Sequence, residues 1–246
     1  MSVICVIPAR YNSTRFPGKL LVDIQGKSLL QRTYESALNA ASLDEVYIAT
    51  DSEEIQEHME SLGAKVLLTS TKPINGTERI IEAMKNFEPL QKAEVILNLQ
   101  GDHPCTPPET IGSVIEALLA NPGCSIATAA RPITTWDEFL APQAVKCVID
   151  QKGSALYFSR NPIPYQRPNT PLSALLHLGI YCYRPSFLEK LATFTPTPLQ
   201  QQEDLEQLQF LEWGFPIQVA VVHEGSLSVD VPQDLKSLEE YLCRRK

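Results

Sequence analysis

Apolar runs alternate with amphipathic stretches over the first seventy residues of the chain. Residues 3–7, 45–50 and 65–69 are largely apolar and contain many β-branched side chains, which favours strands buried on both faces. Between them, residues 28–41 and 52–62 carry apolar side chains at helical spacing. This strand–helix–strand–helix–strand order predicts an α/β fold with a mostly parallel sheet flanked by helices.

The pattern continues beyond these residues, and the strands become shorter after residue 125. We predict further strands at residues 95–100, 125–130, 144–150, 155–159, 177–183 and 217–222, and helices at residues 77–87, 107–120, 185–192, 202–213 and 233–245. The strands at 144–150 and 155–159 form a predicted hairpin, and the proline-rich residues 161–171 a mobile flap or crossover loop. The chain is therefore expected to form a single α/β domain over residues 1–246, with a small β-rich insertion at about residues 130–200.

Composition narrows the possible partners and compartment. The 246 residues carry a formal net charge of −8, from 29 carboxylates against 21 Lys and Arg side chains, which argues against nucleic acid or an anionic membrane as the main partner. No apolar stretch reaches the ~18 residues of a membrane span, and the first residues lack the order of a signal peptide. The six cysteines are scattered without a C-x-x-C pair, as expected of buried thiols in a reducing compartment. We therefore expect a cytoplasmic protein without membrane insertion and without a structural zinc site.

The loop after the first predicted strand concentrates positive charge. It contains Arg10, Arg15 and Lys19, and open α/β sheets bind ligands beyond the carboxyl ends of their strands. Arginine forks and a lysine point charge suit phosphate oxygens, so the loop predicts a nucleoside triphosphate site, with a solvated basic turn as the alternative. Neither Gly-Lys pair of the chain has P-loop spacing, and no G-x-G-x-x-G follows the first strand, which disfavours a nicotinamide-dependent dehydrogenase.

Two aspartates are candidate metal ligands. Asp102 follows the strand predicted at residues 95–100, and Asp230 precedes the closing helix. If both lie at the ligand edge of the sheet, they can hold Mg²⁺ together with substrate phosphates, which is the usual arrangement for this ion. Each could instead be an ordinary cap or turn residue. Asp51 is predicted to be such a cap, for the helix at residues 52–62.

Six motifs follow one another along nearly the whole chain. They are Val6-Ile7-Pro8-Ala9-Arg10-Tyr11 with Ser13-Thr14-Arg15-Phe16-Pro17-Gly18-Lys19, Gly76-Thr77-Glu78-Arg79, Asn98-Leu99-Gln100-Gly101-Asp102, Ala155-Leu156-Tyr157-Phe158-Ser159-Arg160, His177-Leu178-Gly179-Ile180-Tyr181 and Leu205-Glu206-Gln207-Leu208. In this order they resemble the 3-deoxy-manno-octulosonate cytidylyltransferases, the CMP-Kdo synthetase family. The resemblance implies a Rossmann-like sheet of the nucleotide-diphospho-sugar transferase type.

The resemblance also implies an activity and a set of site residues. The enzyme would transfer CMP from CTP to the anomeric hydroxyl of 3-deoxy-D-manno-octulosonate (Kdo), giving CMP-Kdo and pyrophosphate for lipopolysaccharide biosynthesis, and it would be a homodimer. Asp102 and Asp230 would hold Mg²⁺, with Lys19 and Arg10 as further catalytic residues. The resemblance assigns Arg10, Arg15, Lys19, Asn75, Thr77, Arg79 and Gln100 to the nucleotide, and Arg160, His177, Tyr181, Glu206 and Gln207 to the sugar acid. Without it, His177 would be a structural histidine and Glu206 and Gln207 would be solvated helix positions.

Departures from the family pattern and two alternatives remain. His103 stands where the family usually has Glu, and Gln233 stands where its C-terminal motif usually has Glu. The alternatives are a related nucleotidyltransferase for another sugar acid or a sugar phosphate, and a non-catalytic nucleotide-binding regulatory subunit. The presence of Lys19, Asp102 and Asp230 together argues against the regulatory subunit, because binding without turnover has little use for two metal carboxylates.

Overall fold

A computed structural model describes residues 2–11, 16–225 and 227–244 of the chain. Its strands are β1 (Val3–Ala9), β2 (Asp23–Ile24), β3 (Lys27–Ser28), β4 (Glu45–Thr50), β5 (Lys65–Leu68), β6 (Val95–Leu99), β7 (Ile126–Pro132), β8 (Lys146–Ile149), β9 (Ala155–Ser159), β10 (Leu175–Tyr183) and β11 (Ile217–Val221). Its helices are α1 (Leu29–Leu38), α2 (Glu53–Ser61), α3 (Gly76–Asn86), α4 (Glu88–Lys92), α5 (Pro108–Leu119), α6 (Trp136–Leu140), α7 (Pro185–Leu191), α8 (Pro198–Glu203), α9 (Glu206–Glu212) and α10 (Asp234–Arg244).

The chain divides into two compact units, of which the first comprises residues 1–112 and 226–246. This unit holds a parallel sheet with strand order β6-β1-β4-β5. All seven residues of β1 are buried, as expected for a strand that is covered on both faces. Because the four strands are parallel, the loops that follow β1, β4, β5 and β6 lie along the same edge of the sheet. The predicted alternation of strands and helices over the first seventy residues is confirmed.

The start of α2 differs from the prediction. Ser52 is the cap, because its Oγ accepts a hydrogen bond from the Ile55 amide at 3.3 Å. The prediction that Asp51 caps this helix is therefore wrong. Asp51 lies one residue before the cap, and its carboxylate is instead 3.0 Å from the guanidinium of Arg79.

The second unit comprises residues 113–225. Its β7 pairs in parallel with β11 and antiparallel with β10, and β8 lies antiparallel to both β10 and β9. The core of the unit is aromatic. The ring of Phe187 packs edge-on against Phe210 with centroids 5.3 Å apart, and Tyr183 stacks on Phe187 at 5.9 Å. Such ring pairs bury large apolar areas and favour one packing arrangement.

The helix predicted at residues 202–213 is interrupted in this second unit. α8 ends at Glu203, Asp204 adopts the left-handed conformation with φ 52° and ψ 51°, and α9 begins at Glu206. A left-handed residue cannot continue a right-handed helix. The helices α4 and α6 were not predicted, because each has only five residues and is too short to show a helical period.

The two-residue strands β2 and β3 were not predicted either. The other predicted elements agree with the structure to within a few terminal residues, and β4 and β9 have the predicted bounds. Residues 160–174, which are all described, lie outside helices and strands, and the mobility predicted for residues 161–171 stays a prediction. The division into a single domain with an insertion at about residues 130–200 likewise stays a prediction. No helix in the described part of the chain is long and apolar enough to cross a bilayer.

Candidate active site

Lys19 begins a 3-10 turn that follows the loop after β1. Gly18 precedes it with φ 68°, a left-handed conformation that glycine adopts without steric cost. The Gly18 amide donates to the Tyr11 carbonyl at 3.1 Å, and this bond joins the two ends of the loop. The Lys19 side chain that follows is only 11% exposed, so its ammonium is largely withdrawn from water.

The Lys19 ammonium contacts both carboxylates that were predicted to hold a metal. Its Nζ lies 2.5 Å from Asp102 Oδ2 and 3.7 Å from Asp230 Oδ1, and it donates to the Val229 carbonyl at 2.9 Å. The Val229 amide in turn donates to the Asp102 carbonyl at 3.1 Å. The structure therefore brings together three residues that are far apart in the sequence, while their catalytic and metal-binding roles stay predictions.

Asp234 fixes the backbone of the segment that carries Asp230. The amides of Asp230 and Val231 donate to Asp234 Oδ2 at 2.8 and 2.9 Å, at the start of α10. An acidic side chain is favoured at this end of a helix by the helix dipole. The Asp230 side chain is 42% exposed, against 22% for Asp102, so Asp230 presents more of its carboxylate to solvent.

Burial and charge act in opposite directions on Asp102. Burial raises its pKa, but the positive charges of His103 and Lys19 and the Lys19 hydrogen bond lower the pKa by more, so the net shift is downward. The pKa of His103 is also lowered, chiefly by burial, against the attraction of Asp102 and Asp230. The positive charge of Lys19 thus lowers the pKa of both neighbours, and it favours the ionised form of Asp102 and the neutral form of His103.

The chemistry of the two aspartates fits Mg²⁺. This ion takes hard oxygen ligands, commonly one or two protein carboxylates, and completes its shell with water and substrate phosphate. The described residues contain no group of three or more His, Cys, Asp and Glu side chains suited to hold a metal ion, so Asp102 and Asp230 would depend on such additional oxygens. In this structure Lys19 neutralises part of their negative charge.

The start of α3 lies against Gln100. Asn75 caps the helix, because its Oδ1 accepts from the Glu78 amide at 2.8 Å. A Cβ at Gly76 would lie 2.9 Å from Pro8 Cγ and 3.2 Å from Gln100 Oε1. Only glycine permits this approach without a shift of its neighbours, so the structure brings Gln100 and the Asn75 cap together at the edge of the sheet.

The other predicted nucleotide contacts are distributed around these residues. Arg10 is exposed, and its Nη1 donates to the Ile74 carbonyl at 3.4 Å, a distance at which a hydrogen bond is weak. Thr77, in the first turn of α3, is 2% exposed. Arg15 lies outside the described residues.

Arg79 is buried in the first unit, with 3% of its side chain exposed. Its Nη2 is 3.0 Å from Asp51 Oδ2, and its Nη1 donates to Thr69 Oγ1 and to the Ser70 carbonyl. These bonds join α3 to the segments that follow β4 and β5. A nucleotide contact by Arg79 stays a prediction, and in this structure the guanidinium is engaged with protein groups.

Arg160 follows β9 in the second unit, and backbone carbonyls hold its guanidinium. Its Nε donates to the Glu203 carbonyl at 2.8 Å, its Nη2 to the Asp204 carbonyl at 3.1 Å and its Nη1 to the Pro142 carbonyl at 3.4 Å. Carbonyls carry no net charge, and the Asp204 carboxylate at 3.8 Å is 99% exposed, so water screens its attraction. A guanidinium offers more N–H donors than these three bonds use, and Arg160 is 37% exposed. It can therefore bind an anion.

Two charged residues beside Arg160 were not predicted to belong to the site. The Glu203 carboxylate accepts a hydrogen bond from the Arg160 amide at 2.9 Å. Lys146 is fully buried, and its Nζ donates to the carbonyls of Ala141 and Arg160 at 2.9 and 2.6 Å. The signal that could have found Lys146 is a cation within the otherwise apolar run of residues 144–149, since lysine is rarely buried.

β10 carries His177 and Tyr181. Thr128 Oγ1 lies 3.1 Å from His177 Nε2, and the imidazole packs edge-on against Phe158 with centroids 5.0 Å apart. The rings of His177 and Tyr181 are 5.4 Å apart. Burial raises the pKa of the Tyr181 hydroxyl well above its ordinary value, so this hydroxyl stays protonated and can donate a hydrogen bond.

α9 begins with Glu206 and Gln207. Gln207 is 5% exposed, so it is not a solvated helix position, whereas Glu206 is partly exposed. Because Arg160 is bonded to Glu203 and Asp204, the structure places Arg160 beside the chain segment that leads into α9.

Comparisons with known proteins agree on one family. A family model described as "Cytidylyltransferase" matches residues 4–218. The chain is 45% identical to the 3-deoxy-manno-octulosonate cytidylyltransferase of Protochlamydia amoebophila (strain UWE25), covering 99% of this chain and 95% of the relative. It is 44% identical to the enzyme of the same name from Chlamydia abortus (strain DSM 27085 / S26/3), over 96% of this chain and 92% of the relative. The chain belongs to the 3-deoxy-manno-octulosonate cytidylyltransferase family.

A solved structure of a protein with the related name CMP:2-keto-3-deoxy-manno-octonic acid synthetase, complexed with CTP, superposes with a TM-score of 0.94 at 34% identity, and the match covers 100% of both chains. The predicted fold class, a mostly parallel α/β sheet flanked by helices, is confirmed. As a member of the 3-deoxy-manno-octulosonate cytidylyltransferase family, the chain is a nucleotidyltransferase, as the motifs predicted.

Proposed function

We propose that this chain transfers CMP from CTP to the anomeric hydroxyl of Kdo, giving CMP-Kdo and pyrophosphate for lipopolysaccharide biosynthesis. The observation that carries the proposal is the meeting of Lys19, Asp102 and Asp230 within the first unit. Phosphoryl and nucleotidyl transfer depend on positioning and on stabilisation of negative charge, which a lysine and two metal-binding carboxylates supply. The names of the relatives and the CTP complex of the similar solved structure support the choice of substrates.

In the proposed reaction the anomeric oxygen of Kdo attacks the α-phosphorus of CTP. The bond from that phosphorus to the bridging oxygen breaks, pyrophosphate leaves, and the hydroxyl proton passes to solvent water. Negative charge grows on the α-phosphate oxygens and the leaving group. Lys19, Arg10 and Arg15 of the loop after β1 would stabilise this charge, Lys19 as a point charge and the arginines as forks on the phosphate oxygens.

Asp102 and Asp230 would hold Mg²⁺, whose chemistry here would be to polarise the α-phosphate and to lower the pKa of the attacking hydroxyl. The support is their chemistry: two hard oxygen donors, from two segments joined by the bond between Val229 and Asp102. Lys19, which pairs with both carboxylates in this structure, would supply its charge to the triphosphate at the same place.

The cytidine would lie against the start of α3. Gln100 and Asn75 are proposed as contacts because the absence of a side chain at Gly76 lets the amide of Gln100 approach this helix. Thr77 and Arg79 belong to the same first turns and are both buried, so we propose that they act mainly by shaping the surface that the nucleotide meets.

The second unit would bind Kdo. Arg160 is proposed to bind the carboxylate of the sugar acid, because its charge is only weakly compensated by protein groups. His177, Tyr181, Glu206 and Gln207 are proposed to contact the sugar hydroxyls, for which they offer both donors and acceptors.

A coupled pyrophosphate assay tests the proposed function. With CTP and Mg²⁺, Kdo should release pyrophosphate faster than N-acetylneuraminate or a sugar phosphate, and UTP should replace CTP poorly. Asp102→Ala should lower kcat by roughly 100-fold or more, since charge stabilisation in the transition state is lost. Glu57→Ala, which removes an exposed carboxylate of α2, is the matched control and should leave kcat unchanged. Undiminished turnover in Asp102→Ala would contradict the mechanism, and a preference for another sugar would contradict the substrate.

The proposal extends to a homodimer in the cytoplasm. Trp136, Leu140 and Tyr165 of the second unit are large apolar side chains that are 52%, 58% and 82% exposed, and a subunit interface would cover such groups. Light scattering behind size-exclusion chromatography should give twice the mass of the chain. A monomer at micromolar concentration would contradict the dimer, and recovery outside the cytoplasmic fraction of cells would contradict the location.

A further inference from the structure

Lys146 is a buried cation that is bonded to neutral groups. It is the first residue of β8, opposite Ser159 of β9 and Leu176 of β10, and it is 0% exposed. Among the described residues no carboxylate lies within ion-pair distance of its ammonium, which donates to the carbonyls of Ala141 and Arg160. An ammonium buried on carbonyls is unfavourable compared with an apolar side chain of the same size. The Glu203 carboxylate attracts the ammonium from beyond ion-pair distance, but this attraction offsets only part of the cost, because burial still lowers the pKa of Lys146.

The contacts of Lys146 form a closed ring with Arg160. Lys146 Nζ donates to the Ala141 carbonyl at 2.9 Å, and the next residue, Pro142, accepts from Arg160 Nη1 at 3.4 Å. The ring closes where the Arg160 carbonyl accepts from Lys146 Nζ at 2.6 Å. The main chain and the side chain of Arg160 are therefore both tied to residues 141–142, and the main-chain tie runs through Lys146.

Glu203 holds Arg160 through a second set of bonds. Its Oε2 accepts from the Arg160 amide at 2.9 Å, and its Oε1 accepts from Ser159 Oγ at 2.6 Å. Its own carbonyl accepts from Arg160 Nε at 2.8 Å. The Glu203 carboxylate thus binds the backbone amide of Arg160, while the neutral carbonyls of Glu203 and Asp204 bind the guanidinium. This arrangement fixes the guanidinium without cancelling its charge.

We propose that Lys146 and Glu203 are positioning residues that hold Arg160 in the orientation that binds the carboxylate of the sugar acid. The inference rests on the proposed function, because it takes Arg160 as the carboxylate contact. A bidentate bond between a guanidinium and a carboxylate requires a defined plane and direction, and an arginine at the start of an irregular segment has many rotamers. The two sets of bonds select one of them before the substrate arrives, which reduces the entropy lost on binding.

Lys146→Met and Glu203→Gln test this inference. Methionine keeps an unbranched apolar stem and removes the ammonium, and glutamine keeps the shape of Glu203 while weakening its hold on the Arg160 amide. In each variant the KM for Kdo should rise about tenfold, because the bond between Arg160 and the Kdo carboxylate is no longer well oriented. The KM for CTP should change by less than about twofold. The preference for Kdo over its C1 carboxamide, measured as a ratio of kcat/KM, should fall by the same factor as the KM for Kdo rises.

Lys152→Met is the matched control, because it makes the same substitution at an exposed position in the turn between β8 and β9. It should change none of these quantities. Equal rises in the KM for Kdo and for CTP, or an unchanged preference for the carboxylate, would show a merely structural role and overturn the inference. If Lys146→Met does not fold, Glu203→Gln decides by the same readouts.

Arg160→Met, alone and combined with Lys146→Met, separates this inference from the proposed function. The combined variant should bind Kdo no more weakly than Arg160→Met, because Lys146 acts through Arg160. Additive losses would overturn the inference. If Arg160→Met itself keeps the preference for the carboxylate, the proposed sugar site fails. If Arg160→Met loses the preference while Lys146→Met and Glu203→Gln keep it, the proposed site stands and only the positioning role fails.

Discussion

Lys19 and Asp102 form an ion pair of 2.5 Å, and both side chains are largely withdrawn from water. The pair joins the loop after β1 to the residues after β6. These two strands are neighbours in the same parallel sheet. Removal of one partner leaves the other charge uncompensated in a poorly hydrated place, which costs more than the pair itself contributes. The residues that would stabilise the reaction are therefore also coupled to each other before any substrate binds.

Lys19→Met should lower kcat by roughly 100-fold, because the charge that grows on the α-phosphate loses a point charge. The KM for Kdo should change much less. Lys27→Met, in the second Gly-Lys pair of the chain, is the control, since Lys27 pairs with Glu35 at a half-exposed site. Steady-state pyrophosphate release measures both variants. Similar losses in both would contradict a specific role for Lys19.

Asp230→Asn should raise the Mg²⁺ concentration for half-maximal activity by at least about tenfold, the scale seen when groups of a metal site are altered. Chelation of divalent ions should abolish turnover of the unaltered protein, and added Mg²⁺ should restore it. Titration of Mn²⁺ binding by electron paramagnetic resonance provides a readout that does not depend on activity. Equal metal affinity in the variant and the unaltered protein would exclude Asp230 as a ligand.

Arg79→Met should lower the free energy of unfolding by about 3 kcal/mol, because it leaves the Asp51 carboxylate without its partner. The exposed pair of Lys92 and Glu88, in one helix, provides the contrast, and Lys92→Met should cost less than about 0.5 kcal/mol. Urea denaturation measures both losses. If the two variants lose the same stability, the burial of Arg79 has no energetic consequence.

Stability should depend on pH through Glu82. The amide and the hydroxyl of Ser70 donate to its carboxylate, and the amide bond is the main reason why the pKa of Glu82 lies below its ordinary value of 4.5. A pKa that is lower in the folded state stabilises the fold above the unfolded pKa, and the contribution is lost as the pH falls through the folded pKa.

Glu82→Gln should therefore lower stability at neutral pH by on the order of 1 kcal/mol, and the difference from the unaltered protein should shrink as the pH falls below 4.5. Thermal unfolding over a pH series measures this, with the exposed Glu57→Gln as control. A stability difference between Glu82→Gln and the unaltered protein that stays constant down to about pH 3 would contradict this role of Glu82.

The sheet of the first unit could be predicted because the patterns that specify its strands and helices lie within short stretches of the sequence. Apolar runs and helical spacing predict β1 and its neighbours, and parallel strands end at one edge whatever the details of packing. That geometry is sufficient to bring Asp102 close to Lys19. It does not predict the ion pair between them, which depends on the positions of individual side-chain atoms.

Asp51 and Lys146 show where prediction from sequence fails, and the partner of Arg79 was not predicted either. A charged residue near a strand end is interpreted as a ligand contact or a helix cap, because the sequence does not show which charges face each other. Arg79 and Asp51 are 28 positions apart, and they form a buried pair through the fold of the whole unit. Lys146 was interpreted only as part of a strand, because its carbonyl partners have no sequence signature.

The left-handed conformation of Asp204 makes two backbone carbonyls available to the Arg160 side chain. In an unbroken helix the carbonyls of Glu203 and Asp204 would accept from amides one turn ahead, and neither would be available to a side chain. Because the helix is interrupted at Asp204, both carbonyls are available, and both accept hydrogen bonds from Arg160. Continuing the helix through Asp204 would gain helical hydrogen bonds, but it would remove the two carbonyl acceptors that hold the Arg160 guanidinium. If Arg160 binds the sugar acid as proposed, a variant with a continuous helix here should lose its preference for a sugar acid over a neutral sugar.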